Sequence, residues 1–112
     1  MLRITTNVNK GILFIRLEGQ LDKSNYKSLE NEINYLLYKQ GMHYFVINFD
    51  EINIEDKNLL LKIQSKLIEI FLSCGKVALC GLTDERKKQI GKTKDNLYYI
   101  KNEIDAFKYL YL

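Results

Sequence analysis

Apolar and polar residues follow two different periods along the chain, and the changes of period divide it into short elements. Runs rich in β-branched and aromatic residues, which are typical of strands, occupy residues 2–6, 12–18, 44–49, 76–81 and 97–100. Apolar residues recur at helical spacing over residues 24–40, 57–73, 84–90 and from 102 onward. The predicted order is therefore β-β-α-β-α-β-α-β-α.

The strands at 44–49 and 76–81 are nearly continuous in apolar residues, which is typical of strands buried on both faces of a parallel sheet. The strand at 12–18 is the third one that we predict to be buried. Strands that alternate with helices require right-handed crossovers and a mostly parallel arrangement. The turn residues at 7–11 join the first two strands into an antiparallel hairpin. We predict one α/β domain over residues 1–112, with a mostly parallel five-stranded sheet, an N-terminal β-hairpin and about four helices.

Residues at the predicted helix ends fit the capping preferences of α-helices. Asp22 or Ser24 can cap the first long helix, and Asp56 is the natural N-cap of the second, because a carboxylate accepts from free backbone N–H groups and opposes the helix dipole. Gly41 and Gly75 lie where these two helices are expected to end. In the last helix the capping residues are Asn102 and Asp105, with Ile104, Phe107 and Leu110 predicted to face inward.

The helix predicted at 57–73 is unusually apolar. Its main apolar stripe consists of Leu60, Ile63, Leu67, Ile70, Phe71 and Cys74. Beside it runs a second stripe of Leu61, Ile68 and Leu72, which leaves a narrow polar face of Lys62, Lys66, Glu69 and Ser73. Such a helix is either wedged deeply in the domain or partly covered by a partner.

Composition and charge narrow the class of protein. The apolar fraction of 46% and the charged fraction of 28% are ordinary for a soluble domain. The net charge of +3 is spread over 17 basic and 14 acidic residues, which is too balanced to indicate binding to nucleic acid or an anionic membrane. No apolar run approaches the roughly 20 residues that cross a bilayer, and the first residues lack a signal-peptide layout. We therefore expect a cytoplasmic protein without direct membrane insertion.

Candidate chemistry is sparse. With two cysteines and one histidine the chain cannot build a structural zinc site, and Cys74 and Cys80 are expected to be reduced, buried thiols. No nucleophile with a base, glycine-rich phosphate loop or metal set is apparent, so we expect neither enzyme activity nor a cofactor. The acidic residues Asp50, Glu51, Glu55 and Asp56 are predicted to form a solvated loop rather than an acid/base or metal cluster.

Three further features are ambiguous in the sequence. The basic residues Arg86, Lys87, Lys88, Lys92 and Lys94 favour a solvated surface over phosphate binding, because no aromatic residues are interleaved with them. Tyr35 and Tyr38 indicate either an interface or partial burial. His43 is expected to be a strand-edge residue without a role of its own.

Three junctions resemble those of one known family. The segment Gly19-Gln20-Leu21-Asp22 resembles the strand-ending G-x-L-D of STAS domains, the fold of bacterial anti-sigma factor antagonists. Residues 48–56 are similar to the strand and loop of that family that end in an aspartate capping the second helix. Residues 75–81 resemble its glycine-led strand. The resemblance extends over nearly the whole chain and implies the same fold.

The resemblance fails at the regulatory motif. In typical members the capping aspartate is followed by two small hydroxyl residues and a glycine, and the first hydroxyl is phosphorylated by an anti-sigma kinase. Here those positions hold Lys57, Asn58 and Leu59, and the nearest hydroxyl is that of Ser65, two turns into the helix. We expect Leu59 to add an apolar side chain near a surface that a partner meets. Because of this departure from the family pattern, we expect that phosphorylation does not switch the protein.

The resemblance implies a regulatory module that binds a kinase-type anti-sigma factor and so releases a sigma factor. The expected partner-binding residues are Asp22, Asp56, Lys57, Asn58 and Leu59, although Asp22 and Asp56 are equally well explained as helix caps. The partner could instead be another regulatory protein, with the chain acting as a STAS subunit that governs a transporter or a signalling complex. A homodimer is also open, and an enzyme or nucleotide-binding domain is the third alternative.

Overall fold

The computed structural model describes residues 1–73, 75–91 and 96–110. The strands are β1 (Leu2–Asn9), β2 (Ile12–Leu21), β3 (Tyr44–Ile54), β4 (Lys76–Cys80) and β5 (Leu97–Tyr99). The helices are α1 (Tyr26–Asn34), α2 (Lys57–Leu72), α3 (Asp84–Ile90) and α4 (Ala106–Tyr109). A π-helical turn (Tyr35–Lys39) extends α1, and a 3₁₀ turn (Glu103–Asp105) precedes α4. The predicted order of elements is confirmed.

The five strands form one sheet in the order β1-β2-β3-β4-β5. β1 and β2 form the predicted antiparallel hairpin, and each later neighbour pair is parallel. The three strands predicted to be buried lie in the middle of the sheet, where both faces are covered. Their apolar runs are nearly continuous for this reason.

Two cores lie on opposite faces of the sheet. The larger core packs the inner sides of α1, α2 and Ile90 of α3 against one face, around Leu13, Ile15, Phe45 and Ile47. The smaller core joins the other face to α4 and is formed by Ile12, Phe14, Val46, Ala78, Cys80, Ile100, Ala106 and Leu110. Cys80 is a buried free thiol, as predicted, and burial raises its pKa to about 12, with smaller contributions from Asp50 and Glu103. The prediction for Cys74 lies outside the described residues.

The strand predicted at 44–49 is longer than expected, and the polar loop predicted after it is wrong. β3 continues to Ile54 beside β2, which extends to Leu21, after a register shift between Arg16 and Glu18. In this extension Ile52 and Ile54 are buried while their neighbours are exposed. This alternation is typical of a strand with one solvent-exposed face. Only Glu55 and Asp56 therefore form the loop between β3 and α2.

Two side chains take the opposite environment from the predicted one. Lys66 was placed on the polar face of α2, but it is 8% exposed, and its Nζ donates to Asn34 Oδ1 at 2.8 Å and Glu69 Oε2 at 2.6 Å. Ile104 was predicted to face inward, yet it is 77% exposed because the chain enters α4 through a 3₁₀ turn. Leu110, by contrast, is fully buried as predicted.

The helix ends follow the predictions more closely. Gly41 follows the π-helical turn with φ +65°, the left-handed conformation that glycine adopts without strain. Asn102 Oδ1 accepts from the backbone N–H of Asp105 at 3.2 Å, which confirms this cap. No helix within the described ranges combines the length and the apolar character that a membrane span requires.

Candidate functional site

The register of the sheet brings two predicted site loops to the same edge. Leu21 at the end of β2 pairs with Ile54 at the end of β3. Asp22 and the Glu55–Asp56 loop directly follow these residues, so both loops emerge where the parallel strands end. We call this side, formed by residues 22–25, 55–58 and 83, the carboxyl edge. Ligands of open α/β sheets usually bind at such an edge.

Asp22 organises the turn that precedes α1. Its Oδ1 accepts from the backbone N–H of Ser24 at 2.9 Å, from that of Asn25 at 3.0 Å and from the Ser24 hydroxyl at 2.6 Å. In the same turn, Asn25 Oδ1 accepts a hydrogen bond from the backbone N–H of Asp22 at 2.9 Å, and Asn25 Nδ2 donates one to the carbonyl of Gln20. The hydrogen bond from the Ser24 hydroxyl is the main cause of the lowered pKa of Asp22. The N-cap of α1 is Asn25, and no side chain caps this helix. The prediction that Asp22 or Ser24 caps α1 is therefore wrong, because Asp22 holds the turn that precedes the helix.

Asp56 is the N-cap of α2, as predicted. Its backbone is extended, with φ −83° and ψ 110°, and its Oδ1 accepts from the N–H of Asn58 at 2.9 Å. The carbonyl of Asp56 accepts from the N–H of Leu59 at 3.1 Å. These contacts leave the side chains of Lys57 and Asn58 exposed at the start of the helix.

Leu59 departs from the expectation for the helix start. Its side chain is fully buried in the larger core, so the prediction that it lies near a surface is wrong. In the first turn of α2, Lys57 and Asn58 face outward, and the next two residues, Leu59 and Leu60, anchor the helix in the core. The carboxyl edge therefore brings together four of the five predicted site residues, namely Asp22, Asp56, Lys57 and Asn58.

A groove of about 310 Å³ lies beside the start of α2, between the end of β3 and α3. Its lining residues are Ile54, Glu55, Lys57, Leu60, Thr83, Glu85, Arg86 and Gln89. Arg86 Nη2 donates to the carbonyl of Ile54 at 3.1 Å, and Thr83 Oγ1 caps α3 by accepting from the N–H of Arg86 at 3.2 Å. Thr83 and Arg86 were not among the predicted site residues, although a threonine before two acidic residues is a recognisable helix start.

The remaining candidates lie apart from this arrangement. Tyr35 and Tyr38 are 52% and 57% exposed on the π-helical turn, at the opposite edge of the sheet. Lys87 lies over the ring of Tyr99 at 5.6 Å, while Lys92 and Lys94 of the basic segment are outside the described residues. Within residues 1–73, 75–91 and 96–110, no group of three or more His, Cys, Asp or Glu side chains could hold a metal ion.

Comparison with solved structures shows the same architecture in several bacterial proteins. The Bacillus cell fate determinant SpoIIAA, in its phosphorylated form, matches with a TM-score of 0.72 at 16% identity, over 96% of this chain and 97% of its own. RsbS from Moorella thermoacetica matches with a TM-score of 0.75 at 14% identity, over 97% and 95% of the two chains. An anti-sigma factor antagonist from Mycobacterium paratuberculosis gives 0.73 at 15% identity, over 100% and 96%. At these identities the likeness shows the fold.

The sequence carries the family signal over most of its length. The model of the STAS domain matches residues 3–96, from β1 to the residue before β5. Because this match spans well over half of the chain, the protein belongs to the STAS domain family.

Proposed function

We propose that this protein is a regulatory binding module that acts as an anti-sigma factor antagonist. It binds a kinase-type anti-sigma factor in the cytoplasm and thereby releases a sigma factor for transcription. The proposal is supported by family membership and by solved relatives such as SpoIIAA and the Mycobacterium protein, which are described as anti-sigma factor antagonists.

The observation that carries the proposal is the composition of the carboxyl edge. Two turns held by Asp22 and Asp56 flank the exposed side chains of Lys57 and Asn58. The adjoining groove has an apolar floor of Ile54 and Leu60, with charged residues of both signs around it. An apolar centre with a charged rim is the usual anatomy of a surface that receives side chains of a protein partner.

We further propose that the module is not switched by phosphorylation at the helix start. No serine or threonine lies between Asp56 and Ser65, and Ser65 is about 13 Å further along the helix at 1.5 Å per residue. Lys57 places a positive charge near the positive end of the helix dipole, so it does not mimic a phosphate. The buried Leu59 fixes the first turn in one packing arrangement. The protein is therefore held in a single binding state, either always associated with its partner or unable to engage a kinase of the usual type.

Affinity capture from the native cell, followed by identification of the bound protein, tests the main proposal. We expect an anti-sigma factor to be recovered. Lys57→Glu should weaken the captured complex about tenfold by reversing a rim charge. Lys39→Glu is the matched control, because it reverses an exposed charge at the opposite edge and should leave affinity unchanged. Capture of a transporter or of a different signalling protein would replace the anti-sigma assignment by a role in that assembly.

Incubation with ATP and the anti-sigma kinases of the same cell, followed by intact-mass measurement, tests the single-state proposal. We expect no added phosphate in residues 56–65. One phosphate in that segment would contradict the proposal, and Ser65→Ala would then show whether Ser65 accepts it.

A further inference from the structure

The outward face of α2 carries a stripe of apolar residues that the domain itself does not cover. Leu61 is 55% exposed, Ile68 is 48% exposed and Leu72 is 81% exposed. Ser65, also exposed, completes the line. We call these four residues the outer stripe. Single exposed apolar residues are common, but a line of three large ones on one helix favours an interface.

The spacing of the outer stripe is that of a helix-pairing seam. Its members are four, three and four residues apart, which is the spacing of the core positions in a seven-residue repeat. This spacing is also the same when it is read from either end. A two-fold axis between Lys66 and Leu67 therefore places Leu61 against Leu72 of a second copy, and Ser65 against Ile68 of that copy.

We propose that the outer stripe is a self-association surface, on which α2 packs antiparallel against α2 of a second copy of this chain. The pairing is isologous, so one stripe provides both halves of the contact. The antiparallel arrangement sets the small Ser65 against the larger Ile68. A parallel arrangement would instead set the two serines against each other and leave a gap in the seam.

The charges beside the stripe select the same orientation. Lys62 and Glu69 lie on one side of it and line the same groove between α1 and α2. In an antiparallel pair, Lys62 faces Glu69 of the second copy, and the symmetry produces this contact twice. Both groups are available, because Lys62 is exposed over the ring of Tyr26 and 45% of the Glu69 side chain is exposed despite its bond to Lys66. Parallel packing would not pair these two charges.

The size of the stripe sets the expected strength of the dimer. Its ends, Leu61 and Leu72, are eleven positions apart, which corresponds to about 16 Å of helix. A single helix pair of this length buries less than the roughly 1,200 Å² that stable interfaces need, so we expect a reversible dimer with a dissociation constant on the order of 10–100 μM. The antiparallel arrangement also points the two carboxyl edges in opposite directions. The carboxyl edge of each copy would remain free to bind a partner.

Sedimentation velocity of the full chain over a range from about 1 to 500 μM tests the proposal. The wild type should shift from monomer to dimer, and Leu72→Glu and Ile68→Glu should each weaken the dimer at least tenfold. Ile104→Glu is the matched control, because Ile104 is as exposed as Leu72 but lies on the opposite face of the sheet. Ser65→Leu should strengthen the dimer by completing the apolar seam. A wild type that stays monomeric throughout, or a dimer that Ile104→Glu dissociates, would overturn the proposal.

A charge exchange tests the antiparallel register separately. Lys62→Glu alone and Glu69→Lys alone should each weaken self-association, since like charges then face each other. An equimolar mixture of the two variants should recover association, because opposite charges meet at both contacts. Thermal melts of each variant confirm that the fold is retained, which matters for Glu69→Lys since Glu69 also bonds Lys66. Folded variants that remain monomeric in the mixture would overturn this register.

Discussion

The two edges of the sheet differ in how the chain enters and leaves its helices. At the carboxyl edge, the side chains of Asp56 and Thr83 accept backbone N–H groups at the starts of α2 and α3, and the side chain of Asp22 accepts those of the turn before α1. At the opposite edge, the chain leaves α2 and the π-helical turn through Gly75 and Gly41. Helix starts need acceptors, whereas helix ends need unusual backbone conformations or close packing. As a result, the carboxyl edge presents fixed polar groups, and the opposite edge is shaped by the two glycines.

Replacement of Gly75 should lower stability more than the loss of a helix cap does. A Cβ at this position would lie 2.5 Å from Ile70 Cγ2, 2.9 Å from the Ile70 carbonyl oxygen and 3.1 Å from that of His43. Since backbone atoms on two sides block the methyl group, Gly75→Ala should lower the free energy of unfolding by about 3 kcal/mol. Urea denaturation measures this quantity.

Gly41→Ala is the matched control for this clash. Gly41 has φ +65° but no atom within 4 Å of an added Cβ, so its replacement should cost only about 1 kcal/mol of conformational strain. If Gly75→Ala and Gly41→Ala lower the free energy of unfolding equally, the predicted steric clash at Gly75 is contradicted.

Removal of the cap on α2, at the carboxyl edge, should lower stability less than replacement of Gly75. Asp56→Ala leaves the N–H of Asn58 without its acceptor and should lower the free energy of unfolding by about 1 kcal/mol. Asp56→Asn should preserve stability, because asparagine caps a helix about as well. If partner binding then falls in both variants while stability falls only in the first, the carboxylate itself contacts the partner. Unchanged stability of Asp56→Ala would contradict the role of Asp56 as the cap.

The smallest expected effect on stability is at Glu103. This residue lies on the same face of the sheet as the smaller core, away from the loops at either edge. Glu103 accepts from Arg16 Nη2 at 2.7 Å and Nε at 2.8 Å, and from Asn48 Nδ2 at 2.9 Å, and the Arg16 hydrogen bond is the main cause of its lowered pKa. The folded pKa lies below the ordinary value of 4.5. The ionised form therefore contributes stability above pH 4.5, and this contribution is lost as the pH falls through the folded pKa.

The corresponding experiment compares urea denaturation from pH 6 to pH 3 for the wild type and Glu103→Gln. The variant should be less stable at pH 6 and should lose less stability on acidification, because it lacks this titrating group. Parallel pH profiles would contradict a stabilising role for the ionised Glu103.

Local signals in the sequence predicted the caps by Asp56 and Asn102 and the order of elements, because these depend on neighbouring residues. Asp56 needs only the N–H groups that follow it, and Gly41 needs only its own backbone conformation. The extension of β3 was missed because it depends on pairing with β2 beyond a register shift. The alternation of Ile52 and Ile54 with polar neighbours was the available signal, but the preceding acidic residues favoured a loop.

The environments of individual side chains on the helices were harder to predict. Periodicity places Lys66 beside polar residues, yet Asn34 of α1 supplies a partner that permits its burial. Leu59 was assigned from the position of a motif residue, while its burial follows from the rotation of α2 against the sheet. Both depend on how a helix packs against elements distant in sequence. The periodicity of apolar residues within one helix does not specify that packing.

Hydrogen exchange of the protein, alone and with the partner it captures, tests the assignment of the carboxyl edge most directly. We expect the amides of residues 22–25 and 56–60 to exchange at least tenfold more slowly in the complex, because their loops become covered. The amides of residues 40–43, at the opposite edge, should exchange at the same rate in both states. Protection of 40–43 without protection of 22–25 and 56–60 would contradict the assignment of the carboxyl edge as the binding site.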